Sequence, residues 1–238
     1  MPVGVPKLPY RLPGEEDETW VDLYNVMYRD RTLFLIQELQ DDIANQIMGI
    51  LTYINLDEED DKSEIDLYIN SPGGSLFSGL GIYDTMQSVD APVCTFCLGM
   101  AASMASVVLM GGAVDQRVIM PNSRIMIHQP VSGYYDGQAG ECSMEALEIL
   151  KLRDRVTQLY RQWTGRDTLE ICYDLERDYF MSAYEAIEYG IADVIGNNLE
   201  ILKVQYEKFY DLPPYQKEND NYYDKEIDYS KPKPLELV

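Results

Sequence analysis

"IDLYINSPGGSLFSGL", residues 65–80, decides the fold. The apolar run Ile65–Asn70 reads as a strand, residues 76–88 read as a helix, and Pro72, Gly73, Gly74 and Ser75 stand between them. Strand, turn and helix in that order are the repeating unit of an α/β layer. A glycine pair at such a turn lets backbone N–H groups approach a substrate without interference from a Cβ. An ordinary turn or helix start has the same composition, so the residues alone leave both readings open.

The same alternation continues outward. Downstream come a strand "VCTFCL" from Val93, a helix over about 102–110, and strands "RVIM" and "RIMIHQ". Upstream, "DDIANQIMGILTYI" repeats Ile43, Ile47, Ile50, Leu51 and Ile54 at helical spacing, and "NLDEEDDKSE" closes it as a solvated loop. Residues 132–141, "SGYYDGQAGE", are glycine-rich and predict an exposed extended arm. A long helix follows over about 143–163, stopped by Gly165. Its seam is Ile149, Leu152, Val156, Leu159 and Trp163, with Leu147, Leu150 and Tyr160 lying off it. Either another subunit or the core itself must cover the surplus.

The two ends differ from the middle. Residues 1–20 carry four prolines and little periodicity and read as an extended N-terminal arm. Residues 21–200 form the folded domain, and 201–238 mix Pro, Asp, Lys and Tyr without period and read as a partly disordered extension.

With 238 residues, 46% of them hydrophobic, the chain can bury a sizeable core. A net charge of -22 argues against nucleic acid and against anionic lipid as partners. Residues 91–114 are uncharged and long enough to cross a bilayer. Pro92, Gly99, Gly111 and Gly112 interrupt that run and Asp90 and Asp115 flank it, so it predicts a buried strand followed by a buried helix. Cys94 and Cys97 would point to opposite faces of a strand with no second pair or nearby His, which predicts packing thiols and no metal site.

Three side chains could do chemistry. His128 is the single histidine, at the end of "RIMIHQ", and reads either as a general base or as a hydrogen-bonded packing residue. Ser103, in "GMAASMAS", would stand where a strand turns into a helix, a place that exposes a hydroxyl beside outward-facing amides. Small neighbours also suit tight helix packing. Asp178, in "DLERDYF", could orient His128 or be a solvated charge.

Taken together, "YINSPGG", "GMAASMAS", "PNSRIMIHQP", "GYYDGQA" and "ERDYFMSAYEAIEYGIAD" resemble the Clp protease proteolytic subunits, in the family's order, over about residues 17–200. The resemblance implies a stacked αβ spiral, related to the crotonases, with a protruding handle helix. It implies a serine endopeptidase in which Ser103 is the nucleophile, His128 the general base and Asp178 the residue that holds the imidazole in its working tautomer. Gly74 and Met104 would supply the oxyanion-hole N–H groups. An extended substrate would add itself as a strand between Gly73 and the segment Val131, Ser132 and Gly133.

Further implications concern partners. Homologous subunits would form seven-membered rings, stacked in pairs around a chamber where unfolded proteins are cut to short peptides. The chain has no G-x-x-x-x-G-K-[ST], so it cannot supply a P-loop ATPase of its own. The resemblance implies that it binds no cofactor and that ATP is used by a separate Clp-type AAA+ unfoldase. The N-terminal sequence looks most like plastid-encoded members and lacks an Arg- and Ser-rich transit segment, which implies the chloroplast stroma, with the bacterial cytoplasm as the alternative. Asp66 and Ser88 stand where many relatives line the chaperone-docking pocket with apolar side chains. That departure implies a mixed ring in which paralogues supply the better pockets. An inactive structural subunit and a crotonase-like acyl-CoA hydratase or isomerase are the competing readings.

Overall fold

The computed structural model describes residues 4–11, 18–57, 63–133 and 136–196. The expected extension over 201–238 and the acidic stretch 58–62 lie outside the described residues.

The element that organises the rest is β5 (Val93–Ala102), buried along most of its ten residues. On one side it pairs in parallel with β4 (Ile65–Ser71), which pairs in turn with β3 (Thr32–Leu35). On the other side it changes partner partway. Thr95–Cys97 pair with β6 (Arg117–Ile119), whereas Met100–Ala102 pair with β7 (Arg124–Ile127). Gly99, at φ +98, stands at the changeover, in a conformation that side chains other than glycine rarely adopt. The Asn70 side chain accepts the Met100 N–H there at 3.2 Å, and the β4–β5 register shifts between Ile69 and Ser71. β6 continues to β9 (Val194–Ile195), and β7 takes β8 (Tyr179–Ser182) as an antiparallel neighbour.

β4 alternates buried and half-exposed positions, so Leu67, Ile69 and Ser71 face the core. The helices α2 (Asp41–Asp57), α3 (Leu76–Ser88) and α4 (Met104–Met110) contribute to that core with Ile47, Leu51, Ile82, Met86 and every side chain of α4. On the opposite face Phe34, Tyr68 and Phe96 stack in a row across β3, β4 and β5, with centroids 5.6 and 4.9 Å apart. α1 (Leu23–Arg29) adds Tyr24 edge-on to Phe34. Asp66 is half-buried on the Tyr68 side of the strand, and Ser88 is exposed at the end of α3.

The uncharged run 91–114 divides into β5 and α4 as its punctuation implies, and no helix among the described residues is long and apolar enough to cross a membrane. Cys94 and Cys97 are both buried; burial pushes the Cys97 thiol up to about 11, which keeps it protonated and inert.

The extended N-terminal arm is paired where it is described: β1 (Lys7–Tyr10) lies antiparallel to β2 (Thr19–Asp22), while two helix bounds differ from those expected. A two-stranded ribbon leaves each strand an open edge, where proline's missing N–H removes no ladder bond. α2 continues to Asp57, past the last periodic isoleucine. The long helix α5 (Ala139–Thr164) begins inside the segment expected to be extended, because the Glu141 carboxylate accepts the Gln138 N–H at 3.1 Å and stabilises an earlier first turn. Its C-terminal end falls at Gly165, left-handed at φ 69, as read from the sequence.

α5 has two halves. Val156, Leu159 and Tyr160 are buried, whereas Met144, Leu147 and Leu150 are exposed. α6 (Thr168–Leu175) precedes β8 and α7 (Ala183–Tyr189) follows it directly.

One buried ion pair closes the far edge of the sheet. Arg117 on β6 forms a bidentate pair with Asp193, just before β9, and its guanidinium lies 5.3 Å from the centre of the Trp163 ring. Burial pushes the Asp193 carboxyl upward, but its hydrogen bonds to Arg117 and the guanidinium charge outweigh burial and hold it below the ordinary carboxylate range. A folded pKa below the unfolded one contributes stability above about pH 4 that is lost as pH falls through the depressed folded value. Asp193→Asn, which leaves a buried guanidinium without its counter-charge, is expected to destabilise the protein by about 3 kcal/mol at pH 7 in urea unfolding. The gap to wild type should narrow below about pH 4, and an equal gap at pH 7 and pH 3 would contradict the role of the pair.

Candidate active site

Ser103 sits between the last residue of β5 and the first of α4, at φ 53 and ψ −127. A non-glycine residue with positive φ is held there by its surroundings. Its N–H donates to Met126 O on β7 at 2.8 Å, and its carbonyl accepts the Ser106 N–H at 3.0 Å. With the backbone so turned, the side chain makes no cap bond to its own helix and is left facing the adjacent pocket.

β7 and β8 bring the other two residues to it. In the antiparallel register Ile127 lies opposite Tyr179, so the next residues outward, His128 and Asp178, face each other beyond the ladder. The Gln129 N–H donates to Leu175 O at 2.8 Å and ties the two segments together again just past that point. His128 Nε2 lies 2.9 Å from Ser103 Oγ, and His128 Nδ1 lies 3.1 Å from Asp178 Oδ1. The three residues named from the sequence therefore form one hydrogen-bonded line. The imidazole is largely shielded while Asp178 is 62% exposed on its outer side, so in this chain alone the carboxylate is open to water.

The glycine turn packs beside that line for a reason the sequence left open. A Cβ at Gly73, φ +89, would lie 2.5 Å from Ala102 O and 2.7 Å from Ser103 Cβ. One at Gly74 would lie 2.2 Å from Leu39 O. The close approach that demands glycine is chain against chain, with the serine turn on one side and the segment before α2 on the other. Leu39 N–H donates to Gly73 O at 2.9 Å and Ser75 N–H donates to Leu39 O at 2.8 Å. In this parallel bridge the N–H of Gly74 itself points away from Leu39.

An open pocket of about 390 Å³ lies over these groups. It is lined by Gly73, Gly74, Ser103, Met104, His128 and Val131, with Val156 and Tyr160 reaching it from α5 and Glu38 from the segment before α2. Ser132 and Gly133 are exposed and continue the chain beyond Val131 without lining the pocket. Sequence reading missed Leu39, Val156 and Tyr160, which nothing local to them marks, and Ser106, which lies inside a quoted motif three residues after the serine.

A hydroxyl, an imidazole and a carboxylate in line beside a cleft can activate the hydroxyl as a nucleophile for acyl transfer. Comparison with known proteins gives the family. The family model for Clp protease matches residues 15–198. The chain belongs to the Clp protease family. It is 56% identical over 198 residues to the ATP-dependent Clp protease proteolytic subunit of Chara vulgaris, covering 83% of this chain and 90% of that one. The subunits of the same name from Anthoceros angustus and Marchantia polymorpha are 57% and 56% identical over 196 residues, covering 82% of this chain and 95% and 96% of theirs. All three organisms bear plastids. Membership makes this chain a serine-peptidase subunit, and the fold expected from the resemblance, an α/β domain with a projecting helix, is the one described above.

Gly73→Ala is expected to displace the serine turn and lower hydrolysis of a short fluorogenic peptide at least tenfold, because the intruding methyl meets backbone oxygen rather than a flexible side chain. Wild-type kcat in that variant would show that the turn does not set the geometry.

Proposed function

We propose that this chain is an endopeptidase subunit in which Ser103 attacks the scissile carbonyl, His128 takes its proton and returns it to the leaving amine, and Asp178 holds the imidazole. The observation that carries this reading is the unbroken line from Ser103 Oγ through both ring nitrogens to Asp178 Oδ1, at 2.9 and 3.1 Å. The Gly74 and Met104 N–H groups would receive the oxyanion, a contribution of roughly 3 kcal/mol per donor. An extended substrate pairs with Gly73 on one side and with Val131, Ser132 and Gly133 on the other. Recognition through backbone suits unfolded proteins of any sequence, which leave as short peptides.

The exposed apolar half of α5 and the aromatic row on the outer sheet face support assembly with further subunits. We assign the chain to stacked seven-membered rings that include paralogous subunits, fed by a Clp-type AAA+ unfoldase that uses ATP while this chain binds no cofactor. Asp66 beside Tyr68 and the polar Ser88 weaken the docking pocket that this subunit would offer, which favours the mixed ring. The plastid-bearing sources of the relatives favour the plastid, and soluble proteolysis there favours the stroma.

Ser103→Ala is expected to lower peptide hydrolysis about 10⁴-fold and to abolish covalent capture by a fluorophosphonate probe. Unchanged turnover would remove Ser103 from the mechanism. For the assembly, mass measurement of the native particle with its subunits identified should find paralogues beside this chain. Rings of this chain alone that bind an unfoldase tightly would contradict the mixed ring.

A further inference from the structure

Behind the serine turn lies a pair of buried hydroxyls that the steps above do not use. Ser106 is fully buried and its Oγ–H donates to Ser103 O at 2.6 Å, the same oxygen that accepts the Ser106 N–H. That bond occupies the single hydroxyl proton of Ser106. Tyr160, 1% exposed on α5, has its phenol oxygen 2.7 Å from Ser106 Oγ and must therefore be the donor in the next link. Burial pushes the Tyr160 phenol well above its ordinary range, so it stays protonated and keeps that role.

The oxygen they hold belongs to the peptide whose other end is the Met104 N–H. In a planar trans peptide C=O and N–H point in opposite directions, so fixing one fixes the other. Bonds received at the carbonyl also polarise the unit and strengthen its N–H as a donor. The Met126 carbonyl and the Gly73 turn restrain Ser103 at φ 53 from the amide side, and the Ser106 bonds add the restraint on its carbonyl, against a relaxation toward commoner backbone angles that would turn this peptide.

We propose that Ser106 and Tyr160 are positioning residues that aim and polarise the Met104 N–H at the oxyanion formed when Ser103 attacks a peptide carbonyl. This rests on the reading of Ser103 as nucleophile and Met104 as oxyanion donor. Because Tyr160 lies in the buried half of α5, the relay also makes the oxyanion donor depend on where that helix sits.

The test compares Ser106→Ala, Tyr160→Phe and the double variant in the assembled protein. kcat and KM are measured with a short fluorogenic peptide, per Ser103 captured at saturation by a fluorophosphonate. Ser106→Ala should lower kcat about tenfold with KM within about twofold, since the bond acts on the transition state; loss of a whole donor costs about 10²–10³. Tyr160→Phe should lower kcat about threefold. The double variant should be no worse than Ser106→Ala, because the phenol acts only through the serine hydroxyl. Binding of a peptide aldehyde, whose hemiacetal oxygen would occupy the hole, should weaken in step with kcat.

A fall in melting temperature with kcat per captured serine unchanged in both single variants would overturn the positioning role. So would a loss confined to KM. Ser103→Ala separates the two levels: turnover retained there removes the nucleophile, whereas an inactive Ser103→Ala beside fully active hydroxyl variants removes only the relay.

Discussion

Strand β5 serves two different partners along one edge, β6 with Thr95–Cys97 and β7 with Met100–Ala102. Only because the second half of the edge is given to β7 does the chain bond Ser103 N–H to Met126 O, two residues before His128. Only because β7 is then paired antiparallel with β8 does Asp178 arrive opposite the imidazole. The edge of β5, divided at Gly99, and the β7–β8 pairing thus set all three candidate side chains, each one residue beyond the end of a backbone ladder. Ladders are the stiffest supports available for groups that must stay within hydrogen-bonding distance.

The turn at Ser103 carries an unfavourable backbone conformation, and its neighbours show what holds it. Gly73 lies so close that no Cβ fits, Met126 accepts the amide, and Ser106 takes the carbonyl with both its amide and its hydroxyl. Each contact restrains the serine turn from a different element, β4's end, β7 and α4. A strained turn that is over-determined in this way is held in one shape by its surroundings.

Surfaces left uncovered by the single chain follow the same economy of elements. α5 buries one half against the domain and projects the other, with Met144, Leu147 and Leu150 in solvent. The sheet presents its aromatic row on the side away from α2, α3 and α4. A parallel sheet usually has both faces covered, and on this second face Phe96 is buried while Phe34, with Tyr24 of α1 against it, and Tyr68 are half-buried.

The sequence by itself determined the alternation of strands and helices, the site of the serine turn, the end of α5 at Gly165 and the three polar residues of the line. Periodicity and turn chemistry are local, so α3 over 76–88 and the division of the uncharged run into strand and helix were legible without coordinates. The motifs in family order then joined Ser103, His128 and Asp178, which no local pattern could. What only the tertiary structure decided are the relations between distant segments: the glycine turn pressed against Leu39 and Ala102, the early start of α5, the β1–β2 ribbon, and Tyr160 closing on Ser106 across 54 positions of chain. Such contacts depend on how layers pack and which hydroxyl finds which oxygen, and a one-dimensional pattern holds no record of either.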